Sequence, residues 1–187
     1  MKELIYVTSN DNKAREIAET LGIKIKRVSI ELDEIQEMDL EKIISHKARQ
    51  AYGKLKSPVI VEDVGFYIDD WNGFPGPLIK WLHATVGYEK LTQILSKKNR
   101  NAEFVVAYGF YDGKKFHSFV GSSKGKIALS LRGKGGWGFD TIFIPKGYRK
   151  TFAELGGSIK LKISARRIAL EKLRRFIKKN QKLRTQR

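Results

Sequence analysis

The fold is decided by residues 4–22, LIYVTSNDNKAREIAETLG, which predict a strand, a polar loop and a helix in direct succession. Residues 4–8 form a short apolar run rich in β-formers, which is typical of a buried first strand. From residue 11 to residue 21 apolar side chains recur at helical spacing, and Gly22 is the expected stop signal. A strand that leads directly into a helix favours an α/β sheet.

The segments that follow extend this pattern. Residues 23–30 alternate between apolar and basic side chains and predict an amphipathic strand. Residues 39–54 predict a second helix that ends near Gly53, and residues 58–63 predict a buried strand that ends in two acids. The resulting order βαβαβ favours the α/β class.

The second half of the chain adds strands and a last helix. Strands are predicted at residues 103–111 and 115–120, on either side of the hairpin signal Asp112–Gly113, and again at 126–131 and 139–144. A basic C-terminal helix is predicted over about residues 164–187. We therefore expect one α/β domain over residues 1–187, with a mixed, elongated central sheet, flanking helices and a groove between two lobes.

Composition excludes several classes of protein. The 187 residues are 41% hydrophobic and contain no cysteine, which excludes thiolate catalysis, zinc–sulfur sites and iron–sulfur clusters. No apolar stretch approaches the ~18 residues of a membrane span, and the start lacks a signal-peptide pattern, so we expect a cytoplasmic protein without membrane contact.

The net charge of +17 is unevenly distributed. Residues 160–187 hold 12 basic residues and one acid, Glu171, so +11 of the total lies in this segment. Such a balance is typical of proteins with anionic partners, namely nucleotides, nucleic acid or acidic surfaces. It is also typical of the lysine-rich surfaces of proteins from hot environments.

The loop from Thr8 to Lys13 is the first candidate site. A helix N-terminus offers unpaired N–H groups and a partial positive charge, so it can bind an anion. Lys13 opposes the helix dipole at a cost of about 0.3–1 kcal/mol, and a bound phosphate would reverse that sign. The alternative is that Ser9, Asn10 or Asp11 caps the helix while Lys13 faces solvent.

Glu62 and Asp63, directly after an apolar run, are the second candidate site. Strand alternation sends the two carboxylates in different directions, and the C-terminal end of a buried strand is where α/β proteins bind ligands. Oxygen ligands favour Mg²⁺ over softer metals. The alternative is a strand-end turn that tolerates acids. Residues 31–41 hold six acids and no base, and one of these is a further candidate to face a metal ion.

The glycine-rich stretch 133–140, GKGGWGFD, formally matches G-x-G-x-x-G, but a predicted strand follows where a dinucleotide-binding motif needs a helix. Its aromatic side chains are suited to stacking on a base, with Asp140 accepting hydrogen bonds. The alternative is an aromatic pair in the core with the glycines forming a turn.

Basic residues accompany two predicted helices. Lys80 lies four residues beyond Gly76 on a predicted short helix. Lys160, Ser164 and Arg166 lead into the last helix, where a solvated, basic helix start is the simpler interpretation.

These motifs follow one another in a defined order. They are Thr8-x-Asn10-x-x-Lys13, Glu62-Asp63-x-Gly65, Gly73-x-Pro75-Gly76 and Gly136-x-Gly138-Phe139-Asp140, followed by Thr151-Phe152-Ala153-Glu154 and Lys160-x-x-x-Ser164-x-Arg166. In this order they resemble the inosine triphosphate pyrophosphatase family over nearly the whole chain. The run 76–81, GPLIKW, is most similar to archaeal and eukaryotic members.

The resemblance implies a Mg²⁺-dependent homodimer with a nucleotide-binding cleft between two lobes. Such enzymes hydrolyse ITP, dITP and XTP to the monophosphate and pyrophosphate. The resemblance assigns the metal to Glu62 and Asp63, gives Asp63 the activation of the attacking water, and leaves Glu37 as the candidate for an upstream metal ligand. The substrate-binding residues it implies are Thr8, Asn10, Lys13, Lys80, Trp137, Gly138, Phe139, Asp140, Lys160, Ser164 and Arg166.

Three positions depart from the family pattern. Val64 stands where Ser or Thr is usual, and Trp137 replaces a Phe. Ala165 stands where the family has the His of a Ser-His-Arg motif, and that His helps to read the base. We therefore expect reduced selectivity among nucleobases.

Two rival interpretations remain open. A related pyrophosphatase of the Maf type would share the opening strand, loop and helix but prefer other nucleotides, and its Ser-x-Ser-x-Arg start is absent. A non-catalytic protein that binds nucleic acid through its basic tail would leave Glu62 and Asp63 unexplained.

Overall fold

The structure, a computed structural model, describes residues 4–136 and 138–185. Strands and helices alternate through most of this part of the chain. The strands are β1 (Ile5–Val7), β2 (Lys26–Val28), β3 (Val59–Ile68), β4 (Pro75–Gly76), β5 (Asn101–Tyr111), β6 (Phe116–Ile127) and β7 (Phe143–Pro145). The α-helices are α1 (Asp11–Leu21), α2 (Leu40–Leu55), α3 (Ile79–Thr85), α4 (Tyr88–Ile94), α5 (Phe152–Leu155), α6 (Gly157–Ile163) and α7 (Ala165–Thr185), and 3₁₀ turns cover Asp69–Trp71 and Gly138–Thr141.

The strands form one mixed sheet in the order β2-β1-β3-β5-β6-β7, with β4 paired to β3. β1 runs parallel to both β2 and β3, so that Ile5 lies opposite Lys26 on one side and Val59 on the other. β4 and β7 pair antiparallel with β3 and β6. The predicted α/β class with a mixed central sheet is confirmed.

The chain divides into two compact units. The first unit comprises residues 1–63, 106–121 and 168–187, and the second comprises residues 64–105 and 122–167. Each unit has its own wholly buried side chains, and burying one of them stabilises the fold by about 1.5–3 kcal/mol. In the first unit these include Tyr6, Ile17, Leu21, Ile44, Ile60 and Tyr108, and in the second Phe66, Ile68, Leu91, Ile142, Phe143 and Phe152.

The first two helices begin and end at identifiable residues. Asn10 caps α1, and Gly22 ends it in the left-handed conformation at φ 64°, as the sequence predicts. Asp39 caps α2. The range of α2 agrees with the predicted 39–54 to within one residue, but Lys56 and not Gly53 closes the helix. Lys56 adopts φ 52°, and its N–H bonds to the Tyr52 carbonyl.

Strand bounds differ from the predictions at several places. The amphipathic strand at 23–30 is reduced to Lys26–Val28. β3 does not end at its two acids but continues to Ile68, because Phe66 and Ile68 are buried and β4 pairs with this extension. The predicted strand 126–131 is the end of β6, which stops at Ile127. Residues 139–141 of the predicted strand 139–144 lie in the 3₁₀ turn Gly138–Thr141 that precedes β7.

The predicted basic C-terminal helix is α7, which extends from Ala165 to Thr185. Residues 186 and 187 of the predicted helix lie outside the described residues. In the first unit, Phe176 of α7 packs against His117 and Phe119 of β6, with ring centroids 4.4 and 5.1 Å apart. Among the described residues, no helix is long and apolar enough to cross a membrane.

Candidate active site

The loop after β1 is organised around Asn10. The Asn10 Oδ1 atom accepts a hydrogen bond from the Lys13 N–H at 3.1 Å, and the Asn10 N–H donates to Thr8 Oγ1 at 3.1 Å. Asn10 is therefore the cap of α1, one of the alternatives left open by the sequence. The same geometry places Thr8 and Asn10 at the start of a helix, where an anion is favoured.

Glu62 is a buried carboxylate held from two sides in the first unit. The Lys13 Nζ atom lies 3.0 Å from Glu62 Oε1, and the Tyr6 hydroxyl donates to Oε2 at 2.8 Å. The Glu62 side chain is only 3% exposed, whereas that of Lys13 is 33% exposed. A buried carboxylate needs such partners because removal from water penalises its charge. Lys13 therefore does not simply face solvent.

Asp63 contacts a different helix. Its Oδ2 atom lies 2.6 Å from Lys47 Nζ on α2, and the same ammonium lies 3.5 Å from Glu34 Oε1. Lys47 is largely buried, at 12% exposure, while Glu34 is more than half exposed. The prediction that the adjacent carboxylates point in different directions agrees with their partners, since Glu62 reaches α1 and Asp63 reaches α2.

The two carboxylates therefore sit beside two ammonium groups in one small region of the first unit. Oxygens of Asp63 and Glu34 both converge on the Lys47 ammonium, which shows that this donor set can hold a cation. No group of three His, Asp or Glu side chains able to hold a metal occurs within residues 4–136 and 138–185. Mg²⁺ commonly takes one or two carboxylates and completes its shell with water and substrate phosphates, so the donor set fits Mg²⁺.

Glu37 lies elsewhere in the acidic segment. Its Oε1 atom accepts from the backbone N–H groups of Met38 and Asp39 at 2.9 and 3.1 Å, and its Oε2 atom lies 3.2 Å from Lys42 Nζ. The hydrogen bond from Asp39, followed by the one from Lys42, lowers the pKa of Glu37. These contacts do not support the choice of Glu37 as the upstream metal ligand, which stays a prediction. Glu34 is the acid whose carboxylate reaches the Lys47 ammonium beside Asp63.

In the second unit, Asp140 and Lys160 form an ion pair. The Asp140 side chain is wholly buried, and its Oδ2 atom contacts the Lys160 ammonium, which is 28% exposed. The preceding loop approaches this carboxylate closely. Gly136 adopts φ 92°, and a Cβ atom there would overlap the Asp140 carboxylate, so only glycine fits this position.

The residues around Asp140 pack with other aromatic side chains of the second unit. The Phe139 ring lies 4.3 Å from that of Phe104 and 5.0 Å from that of Phe66, which agrees with the core-packing alternative for Phe139. The Tyr88 hydroxyl lies against Gly138, since a Cβ atom there would be 3.1 Å from it. Burial, and secondarily the charge of Asp140, raise the pKa of Tyr88 to about 12.

The remaining predicted substrate-binding residues are more dispersed. The Ser164 N–H bonds to the Lys160 carbonyl at 2.9 Å, and Ser164 Oγ accepts from the Arg167 N–H at 3.3 Å. Arg166 is half-buried in the first turn of α7. Lys80 is exposed on α3, with its ammonium 5.9 Å from the Trp81 ring centroid. Trp137 lies outside the described residues.

A family model confirms the resemblance that the motifs suggest. The model of the Ham1 family matches residues 4–176, which is most of the chain. The chain belongs to the Ham1 family.

Relatives from archaea and yeast cover almost its full length. The chain is 40% identical to a dITP/XTP pyrophosphatase of Methanopyrus kandleri over 95% of this chain and 97% of the relative. It is 37% identical to an inosine triphosphate pyrophosphatase of Scheffersomyces stipitis over 95% of this chain and 98% of the relative. A solved Ham1 protein from Coxiella burnetii is similar at a TM-score of 0.86 and 26% identity, covering 96% of this chain and all of the other.

Sequence reasoning missed Tyr6 and Lys47, which contact the carboxylates of the first unit, and Tyr88, which lies against Gly138 in the second unit. Glu34 was one of six upstream acids among which the sequence could not choose. Tyr6 gave no signal in the sequence, because only the pairing of β1 with β3, in which Tyr6 lies opposite Ile60, brings its hydroxyl to Glu62. Lys47 and Tyr88 lie in helices, and their positions in the sequence pattern of those helices do not distinguish them from surface residues.

Proposed function

We propose that this chain hydrolyses the purine nucleoside triphosphates ITP, dITP and XTP to the monophosphate and pyrophosphate. The observation that carries the proposal is the cluster of the first unit, where Glu62 and Asp63 are adjacent, poorly exposed and each contacted by a lysine from a different helix. A site for a triphosphate and a metal needs both kinds of charge. The names of the relatives, dITP/XTP and inosine triphosphate pyrophosphatase, support the same substrates.

The lysines are the phosphate-binding groups in this proposal. In the free protein, Lys13 and Lys47 neutralise the carboxylates; with substrate bound, they turn to the phosphates beside the start of α1. Thr8 and Asn10 position that loop. Two ammonium groups and a helix N-terminus then stabilise the negative charge that increases on the phosphates during hydrolysis.

Asp63 and Glu34, whose oxygens both reach the Lys47 ammonium, are the carboxylates that would hold Mg²⁺, with Glu62 adjacent to Asp63 in the chain. When bound, the ion supplies charge neutralisation and polarisation of the phosphoryl group. Asp63 also accepts the proton of the attacking water as a general base. Lys47, which contacts both Asp63 and Glu34, holds these two acids side by side in the free protein.

The second unit selects the base. Lys160 fixes the wholly buried Asp140, and Ser164 and Arg166 follow it in the chain, where they contribute further donors. Ala165 offers no donor, so selectivity against ATP is reduced rather than lost. We propose that the enzyme acts as a cytoplasmic homodimer that removes deaminated purines from the nucleotide pool.

Product analysis tests the proposal. With Mg²⁺ and ITP the protein should release IMP and pyrophosphate in equal amounts. Release of orthophosphate and IDP would contradict the assignment. Rejection of ITP in favour of other nucleotides would indicate a Maf-type enzyme, and the absence of any hydrolysis would favour the non-catalytic nucleic-acid-binding interpretation.

A further inference from the structure

A strip of lysines lies in the second unit, and none of these lysines belongs to the candidate active site. It follows two adjoining depressions of about 490 and 580 Å³, which share Asn101, Lys126 and Ile144 in their walls. We call this surface the lysine groove. Its five lysines are Lys97, Lys98, Lys124, Lys126 and Lys146.

The ammonium groups of these lysines are uncompensated. All five side chains are exposed, and none of them has an ion pair or hydrogen bond within the part of the chain that the structure describes. Asp69 and Glu103 line the first depression, but no acid lines the second. The groove therefore differs from the candidate active site, where each lysine contacts a carboxylate.

Two of the lysines lie directly opposite each other. Gly125 of β6 pairs with Pro145 of β7, and the Lys146 N–H bonds to the Lys124 carbonyl at 2.8 Å, so Lys124 and Lys146 are cross-strand neighbours. Like charges at such positions are destabilising. Lys126 shares a strand face with Lys124 at a distance of roughly 6.7 Å along the strand. The negative charges of a bound polyanion would attract these lysines and offset their mutual repulsion.

A buried cation lies behind the same surface. Arg100 lines the second depression but is only 8% exposed, and its guanidinium donates to backbone carbonyls alone among the described residues. The acceptors are the carbonyls of Thr92, Leu95, Ser96, Ile127 and Ala128. Since no carboxylate neutralises it and the surrounding dielectric is low, its charge adds to the positive potential of the groove.

We propose that the lysine groove binds the backbone of a single-stranded nucleic acid. The spacing of Lys124 and Lys126 is close to that of neighbouring phosphates in an extended strand. Tyr148 is 40% exposed in the first depression and Leu129 is 66% exposed in the second, so apolar surface for bases accompanies the cations. Basic grooves with exposed aromatic rings are the usual means of binding single strands without sequence preference. A free polyphosphate would not use the apolar side chains.

Fluorescence anisotropy on the full chain tests the proposal. The probe is a labelled oligothymidylate of about 12 nucleotides without terminal phosphates, titrated over a range of salt concentrations. The triple variant Lys124→Gln, Lys126→Gln, Lys146→Gln should bind on the order of 100-fold more weakly at about 0.1 M salt, and its salt slope should fall by about 2. Tyr148→Leu should weaken binding about tenfold by removing a stacking ring.

A matched variant controls for net charge. Arg175→Gln, Lys178→Gln, Lys179→Gln removes the same three charges from exposed positions of α7 and should leave both the affinity and the salt slope nearly unchanged. Circular dichroism melting of both variants checks that they are folded.

Four outcomes would overturn the proposal. The first is that the wild type does not bind the oligonucleotide, and the second is that the α7 variant loses as much affinity as the groove variant. The third is that inorganic tripolyphosphate competes at equal phosphate concentration while the Tyr148→Leu variant binds as tightly as the wild type. The fourth is a change of oligomeric state in the groove variant without any oligonucleotide binding by the wild type, which would assign the groove to a second copy of this chain.

Discussion

Acids paired with lysines occur in both units, but the two settings differ in how deeply the acid is buried and in the elements that supply the lysines. In the first unit, Glu62 and Asp63 contact lysines from two helices, and one of those lysines also reaches Glu34. In the second unit, Asp140 is wholly buried against Lys160, and the glycine loop leaves no room beside it.

This difference separates two kinds of site. Where several carboxylates share the lysines, each lysine can move from a carboxylate to a phosphate at a small cost in free energy. This setting suits the binding of phosphates and a metal ion. A wholly buried acid that contacts a lysine and lies closely against a glycine loop has a fixed position, which suits the reading of a base. The first setting should therefore respond to mutation in rate and affinity, and the second in selectivity.

The largest effect is expected at Asp63. Asp63→Asn keeps the shape of the side chain but removes the charge that contacts Lys47, so kcat should fall by about 10²–10⁴. Steady-state kinetics with ITP measures this, and Asp70→Asn, at an exposed acid of the 3₁₀ turn, is the control. A variant that retains more than half of the wild-type kcat would remove Asp63 from the mechanism.

Lys13→Ala tests the exchange of partners. Loss of one charge-assisted contact to a phosphate is worth about 1.5–3 kcal/mol, so the affinity for ITP should fall roughly tenfold to a hundredfold. From the sequence alone, removal of Lys13 is predicted to leave stability unchanged or slightly raised, because the residue opposes the helix dipole. The ion pair with buried Glu62 reverses that expectation.

We therefore expect Lys13→Ala to lower the free energy of unfolding by about 1–3 kcal/mol, less than for a fully buried pair because Lys13 is partly exposed. Chemical denaturation measures this, with Lys24→Ala, at an exposed lysine, as the control. Unchanged values of KM, kcat and stability would return Lys13 to a solvent-facing role.

Ala165→His addresses selectivity in the second unit. A restored donor is worth about 1–3 kcal/mol, part of which water already supplies, so kcat/KM for ITP over ATP should rise less than tenfold. Ala165 is wholly buried, so the ring must displace neighbours at a cost of about 1–3 kcal/mol in stability. Ala165→Leu adds bulk without a donor and serves as control; an equal rise there would refute the role of the donor.

The smallest effect is expected for Tyr88→Phe, in the dependence of stability on pH. Burial raises the pKa of Tyr88 to about 12 in the folded state, whereas the residue ionises near pH 10 when unfolded. The contribution of the protonated hydroxyl to stability is therefore fully present below about pH 10. That contribution is lost as the pH rises towards 12. The wild type should lose more stability than Tyr88→Phe over this window in denaturation at stepped pH. An equal loss of stability in the two proteins would contradict the raised pKa of Tyr88.

Some features of the chain were determined by the sequence alone. The strand, loop and helix of residues 4–22 form as predicted because Asn10 and Gly22 act on their immediate neighbours in the chain. The motif order along the chain also sufficed to indicate the family, since it depends on residue types and spacing and not on contacts. The candidate residues on β3 and around Asp140 follow from the same motifs.

Only the tertiary structure decided which groups these residues meet. Tyr6 and Glu62 are 56 positions apart, and Lys47 and Asp63 are 16 apart, so their pairing depends on how β1, β3 and α2 pack. That Glu34 is an acid that reaches Lys47, whereas Glu37 contacts Lys42, likewise depends on tertiary packing, since the sequence does not distinguish between the six acids in residues 31–41. β3 continues past its acids because burial of Phe66 and Ile68 outweighs the local preference for a turn. Propensity and spacing act within a few residues, whereas charge pairing and burial are settled by segments that are distant in the chain.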